Sequence, residues 1–387
     1  MAEQRLEPVK ERPAFERIAL LLQGGGALGS YQGGVYQALS EANLHPDCVA
    51  GISIGAINAA LIAGNAPERR VEALRTFWET ITEPPPGVMP LFAPFLSAMM
   101  GGNDSLHRAV NRTHAMTNLV AGAPGFFVPR TMPFSPLTGR RPDSESFYDI
   151  SPLRNTLQSL VDFDRINARP MRLCVGAVNV KTGNMRYFDS DEGKITVDHV
   201  IASGSLPPGF PATEIDGDYY WDGGLLSNTP LDWVLGTRPR KDTLAFQVDL
   251  WNARGELPQD LIGLDLRQKE IRYSSRTRAN TDQFRKMQRL RRATQRLMQM
   301  VPDQSIIDTD PDLALLRSEA DATVYNIVHL IYRAKQYETS SKDFLFSRGM
   351  MEDHWAAGYA DTVRTLNCPE VLERPSAEDG VATFDKI

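Results

Sequence analysis

Ser53 stands between Gly51 and Gly55 in the pentapeptide GISIG. A strand-like run (Cys48 to Ile52) precedes it and a helix-like run (Ile54 to Ala63) follows. A sharp turn from strand to helix lifts a serine oxygen clear of the backbone, and small flanking residues leave room for a substrate. The chemistry on offer is nucleophilic attack on an acyl carbon. It requires a base for the hydroxyl proton and donors for the developing oxyanion. From its letters alone, the pentapeptide is equally compatible with a turn whose small residues serve only packing.

Two further segments offer what Ser53 would need. GGGALG (Gly24 to Gly29) puts Gly24, Gly25 and Gly26 between a strand-like run, Arg17 to Leu22, and a helix-like run from Leu28 to about residue 42. Such a loop exposes backbone N–H groups at a helix N-terminus, where an anion or oxyanion binds. The same letters fit a dinucleotide fingerprint through Gly24, Gly26 and Gly29, with Asp47 near the place of a ribose-binding carboxylate. They also fit a glycine-rich packing turn. Downstream, Asp222 follows the aromatic run Tyr219 to Trp221 and precedes Gly223 and Gly224. An isolated D-G-G is a turn cap; as the partner of Ser53 it is a general base. None of the six histidines lies in these motifs. His199, just ahead of the run ASGSLPPGFP (Ala202 to Pro211), is the best candidate for a hidden third member, but reads better as a helix-end or surface residue.

The elements that must position these groups alternate. Strand, helix, strand, helix over the first eighty residues, with another helix from Pro67 to about Thr82, predicts an α/β fold: a mostly parallel central sheet flanked by helices. From 83 to 149 the pattern breaks. Ten of the 26 prolines fall there, which predicts an insertion over the core, with an apolar patch from Val88 to Met100. Order resumes with a helix capped at Ser151, strands at Arg172 to Asn179, through Phe188 and at Leu244 to Leu250, and a hairpin around Asp216 and Gly217. Residues 266–300 read as one helix with eleven Lys or Arg against two acidic residues. A strand over 323–331 and a helix over 350–366 follow. The expected organisation is a catalytic domain over 17–250, a helical C-terminal region over 251–370, and flexible tails at 1–16 and 371–387.

The chain has 387 residues, 42% hydrophobic and 23% charged, with a net charge of -6. That is a globular composition and argues against bulk nucleic-acid binding. Cys48, Cys174 and Cys368 show neither disulfide nor zinc spacing, pointing to a reducing compartment. No signal peptide and no apolar run long enough to span a membrane is visible, so a cytoplasmic protein, peripheral at most, is expected.

Together the three motifs resemble the patatin-like phospholipase family, in particular a bacterial subgroup with an extra C-terminal region. The glycine loop, the G-x-S-x-G serine and the D-G-G aspartate occur in the family's order. A-S-x-x-x-P-x-x-F-P and the N-x-P at Asn228 add specificity. The resemblance covers about residues 17 to 250. It implies a serine lipid acyl hydrolase with Ser53 as nucleophile, Asp222 as base and Gly24, Gly25 and Gly26 around the oxyanion. Gly29, Gly51, Gly55, Gly223 and Gly224 complete the motifs. It implies no cofactor or metal, and a lipid substrate met at a membrane or micelle surface. One departure is Leu28, where the family's loop commonly carries Arg or Lys; a backbone-only oxyanion site tolerates it, but a guanidinium contact is lost. Two other readings are a non-catalytic lipid-binding module on the same fold and a dinucleotide-binding protein. The basic helix reads as a solvated or acidic-partner face, or as a contact with anionic lipid.

Overall fold

RIALLL is continuously apolar after its first residue, as suits a strand covered on both faces. In the computed structural model it forms β1 (Arg17–Leu22), with all six residues buried. The structure describes residues 8–84, 117–130, 145–258, 261–301, 307, 309–334, 338, 341–375 and 380–385. The apolar patch expected at Val88 to Met100, and most of the proline-rich insertion, lie outside these residues.

β1 sits between two parallel neighbours, β2 (Cys48–Ile52) and β7 (Thr243–Asp249). Beyond β2 lies β3 (Arg172–Asn179), also parallel, which carries β4 (Met185–Asp189) and β6 (Asp218–Asp222) antiparallel; β5 (Thr213–Ile215) pairs with β6. Beyond β7 come β8 (Tyr325–Ile331) and β9 (Val381–Asp385), both parallel. Among the described residues the result is a mostly parallel sheet of nine strands with helices on its faces, the α/β architecture expected from the sequence. The helices include α1 (Ser30–Glu41), α2 (Ile54–Ala63), α3 (Arg70–Ile81), α4 (Ser151–Leu160), α5 (Phe163–Asn167), α6 (Val197–Ser203) and α7 (Leu231–Gly236). Then come α8 (Leu261–Met300), α9 (Pro311–Glu319) and α10 (Arg348–Leu366).

Two features differ from the sequence reading. The tail expected to fray past 371 contains β9, whose residues 381–385 pair in register with Tyr325 to His329. Ser151 is the first helical residue of α4 rather than its cap; its N–H and hydroxyl both donate to Asp149 Oδ1.

The C-terminal region is bound into the first layer of the fold. α10 crosses α1 where side chains are missing: a Cβ on Gly34 would run into the Trp355 carbonyl, and one on Gly358 into the Tyr31 carbonyl. Trp355 Nε1 donates to Gln37 Oε1 at 2.7 Å and Tyr31 Oη to Asp361 at 2.9 Å. Tyr31 and Trp355, both buried, each contribute about 1.5–3 kcal/mol through apolar burial. The sheet and the α1 layer therefore both depend on residues beyond 320.

Candidate active site

Two strand ends running in opposite directions meet along β3. β2 leaves the sheet at Ile52, whose register partner is Gly176; β6 leaves it at Asp222, whose partner is Ala177. Adjacent positions on one strand thus bring Ser53 and Asp222 together, although 169 positions separate them in the chain. The Ser53 hydroxyl faces the Asp222 carboxylate and favours its charged form.

Ser53 occupies φ 57°, ψ -125°, a left-handed conformation that non-glycine residues adopt at a cost of about 1–3 kcal/mol. Its surroundings hold it there. The Ser53 N–H donates to Ser203 Oγ at 2.9 Å, and Ser203 Oγ donates to the Gly176 carbonyl at 2.6 Å. Gly51 and Gly55 are needed because the turn closes on itself: a Cβ at Gly51 would enter the Gly55 backbone, and one at Gly55 the Leu22 carbonyl.

Asp222 is 3% exposed. One oxygen, Oδ1, accepts the Gly224 N–H at 2.7 Å. Burial raises its pKa to about 6, against the lowering effect of the Ser53 hydroxyl and the Gly224 amide. A carboxylate with that value is a better base than a solvated aspartate and is still ionised at neutral pH.

The glycine loop passes beside both groups. The sequence reading expects three amides from it, but the Gly24 N–H is already spent on Asn228 Oδ1 at 3.2 Å. Asn228 Nδ2 returns a bond to the Gly24 carbonyl at 3.0 Å, and Trp251 Nε1 donates to the same oxygen at 3.0 Å. Gly25 and Gly26 remain as the amides without a protein acceptor among the described residues. Gly25 caps and Gly26 opens Gly26–Gly29, a 3-10 turn leading into α1, so the positive end of the helix dipole lies at the loop. Gly26 has φ 55°, and its absent Cβ leaves space for the Asp343 carbonyl, which accepts the Ala27 N–H at 2.8 Å. Gly29 packs under Ile54, and Gly223 under the Gly176 carbonyl, each too close for a side chain. Leu28 is fully buried and presents nothing to the loop's open side.

Ser53, Asp222 and Gly24 to Gly26 line a cavity of about 310 Å³. The rest of its wall is mainly apolar, including Ile57, Phe126, Phe127, Leu153, Ile201, Phe210 and Phe346. The rings interlock edge to face, with Phe126 at 5.3 Å from Phe346 and 6.0 Å from Phe210. Phe126, Phe127 and Tyr148 come from the described part of the insertion; Tyr273, Asp343, Phe344 and Phe346 come from the C-terminal region. No histidine is among the described lining residues. His199 instead accepts the Thr196 N–H on Nδ1 at 2.9 Å, capping α6, and packs on Phe188 at 4.4 Å.

The dinucleotide alternative loses its carboxylate. Asp47 accepts the Ile18 N–H and pairs with Arg12 at the amino end of β1, whereas the glycine loop leaves the carboxyl end, on the order of 20 Å away along a six-residue strand.

A family model described as "Patatin-like phospholipase" matches residues 20–235, more than half of the chain. The chain belongs to the patatin-like phospholipase family. A second model, described as "Patatin phospholipase", matches residues 271–378, so family-type sequence extends into the region that supplies Tyr273, Asp343 and Phe346. Among curated relatives, "Patatin-like phospholipase domain-containing protein 6" of Mus musculus is 38% identical over 94 residues, 24% of this chain and 7% of that protein. "Lysophospholipase nte1" of Aspergillus terreus is 51% identical over 49 residues, 13% of this chain and 3% of that protein. The chain thus matches a small part of these relatives' length. Among solved structures, VipD from Legionella pneumophila aligns over 99% of this chain and 75% of its own, at 13% identity and a TM-score of 0.39.

Asn228 and Ser203 are site residues to which sequence reasoning gave no role. Both lie in the runs that carry the family resemblance, and N-x-P was the one visible signal for Asn228. Asp343 had no signal of its own.

Proposed function

We propose that this chain is a serine lipid acyl hydrolase working through a Ser53–Asp222 dyad, with Gly25 and Gly26 as oxyanion donors. One observation carries the reading: a serine on a strained turn facing a buried carboxylate, in a cavity whose described walls are mainly apolar. Family membership and the relative named as a lysophospholipase support a lipid ester as substrate.

In this mechanism Ser53 Oγ attacks the ester carbonyl while its proton passes to Asp222. The carbonyl oxygen becomes an oxyanion at the Gly25 and Gly26 amides, whose donation is worth roughly 3 kcal/mol each in comparable sites. Collapse expels the alcohol, which takes the proton from Asp222, and leaves an acyl-serine. Water then attacks, Asp222 accepts its proton, and the fatty acid departs with Ser53 restored. The apolar wall holds the acyl chain and excludes bulk water, which strengthens the amide–oxyanion interaction.

Labelling with a fluorophosphonate, followed by peptide mapping, tests the assignment. The label is expected on Ser53 and absent from Ser53→Ala, which also loses hydrolysis of phospholipid and monoacyl lipid esters. Folded protein that hydrolyses these esters equally well as Ser53→Ala refutes the dyad. Folded protein whose cavity admits the reagent, yet which takes no label, would mark a lipid-binding module instead.

A further inference from the structure

The helix α8 has an outward face that the catalytic chemistry does not use. Its inner face is fixed: Phe284 packs on Tyr325 at 5.0 Å, and Gln288 Nε2 donates to Asp321 at 3.1 Å and to the Thr323 carbonyl at 3.0 Å. Arg291 pairs with Glu319 at 3.6 Å, and Arg292 donates to the Ala322 carbonyl at 2.8 Å. These contacts set the rotation of the helix about its axis and leave the opposite side to solvent.

That side carries two parallel bands. Met287, Leu290 and Leu297 are 42%, 55% and 60% exposed. With Thr294 and Val301 they follow alternating spacings of three and four residues, so they form one stripe. Beside it run Arg285, Lys286, Arg289 and Arg296, all exposed and none in an ion pair among the described residues. From 283 to 300 the sequence contains no Asp or Glu, although the chain as a whole is acidic, at -6.

We infer that this face of α8 docks on an anionic lipid surface. The stripe of long apolar side chains gains from burial at the acyl boundary, and the neighbouring guanidinium groups reach phosphates in the headgroup layer; a helix lying in the interface satisfies both at once. A second copy of the chain fits the apolar stripe but not the charge. Pairing two such faces brings two arginine bands together with only Asp282, one turn before Arg285, beside them to offset the charge. The inference is independent of the Ser53 chemistry: it concerns where the molecule sits, not what it cleaves.

Sedimentation of the full chain with phosphatidylcholine vesicles, with and without phosphatidylglycerol, tests it. Binding is expected only with phosphatidylglycerol and is expected to fall steeply with salt. Arg289→Glu with Arg296→Glu should weaken it by at least about tenfold. Leu290→Ser with Leu297→Ser should weaken it at every salt concentration. Both double variants should keep the wild-type melting temperature and hydrolysis of a water-soluble ester, and Ser53→Ala should bind like wild type. Binding that ignores phosphatidylglycerol, or survives both double variants, overturns the proposal. So does a dimer in light scattering that Leu290→Ser with Leu297→Ser dissolves while wild type ignores the vesicles.

Discussion

Asp222→Asn is expected to abolish hydrolysis and, at neutral pH, to stabilise the fold. The wild-type carboxyl is held at about 6 instead of 3.8 by burial. Once folded and unfolded states are both ionised, that difference costs the folded state about 3 kcal/mol. The sign follows from proton binding. Between pH ~4 and ~6 the folded protein keeps a proton that the unfolded chain has released, so wild-type stability declines as pH rises through this window. Asn carries no charge, and the cost disappears. Its amide oxygen can still accept the Gly224 N–H while its NH2 group donates to Ser53 Oγ. With an unfolding entropy of about 0.8 kcal/mol/K for a chain of this length, the gain at pH 7 corresponds to about 4 °C in Tm. Thermal unfolding of both proteins at pH 4 and pH 7, beside an ester-hydrolysis assay, checks each part. The variant should melt higher at pH 7 and converge on wild type at pH 4. An increment that is absent at pH 7, or equal at both pH values, refutes the desolvation argument; retained hydrolysis refutes the role of Asp222 as base.

Three further outcomes are expected. The acid limb of kcat/KM should rise with pH through about 6, because only ionised Asp222 can take the serine proton; a limb near 4 would mean a solvated carboxylate. Asn228→Ala should lower kcat by about 10²-fold, the scale of a small misplacement of catalytic groups, with little change in KM; unchanged kcat would show that Trp251 alone holds Gly24. Gly26→Ala should destabilise by about 1–3 kcal/mol and slow fluorophosphonate labelling, since φ 55° and the Asp343 carbonyl both oppose a side chain; labelling at the wild-type rate would remove Gly26 from the site.

The candidate site was legible where it is local. GISIG announced a turn that only small residues can close, and Asp222 stood at the end of an aromatic strand before two glycines. The parallel sheet was legible because RIALLL and its counterparts are unbroken apolar runs. What stayed hidden depends on contacts across long sequence distances. The Asn228 clamp joins residues 204 positions apart, and the N-x-P that marks Asn228 does not point to Gly24. The Asp343 carbonyl acts through its backbone, so no side-chain pattern marks it. β9 follows Gly380 in a short, polar-flanked segment, which reads as a tail until β8 supplies its register. The engagement of the Gly24 amide stayed hidden for a similar reason: the letters GGG say nothing about which N–H already has an acceptor.

The bond from the Ala27 amide to the Asp343 carbonyl has a consequence for the order of events during synthesis. Ser53, and later Asp222, leave the ribosome while the segment that buttresses the glycine loop has not been translated. In the proposed mechanism the oxyanion loop is therefore unsupported until Asp343 has been made, and shorter nascent chains do not attack the lipids around them.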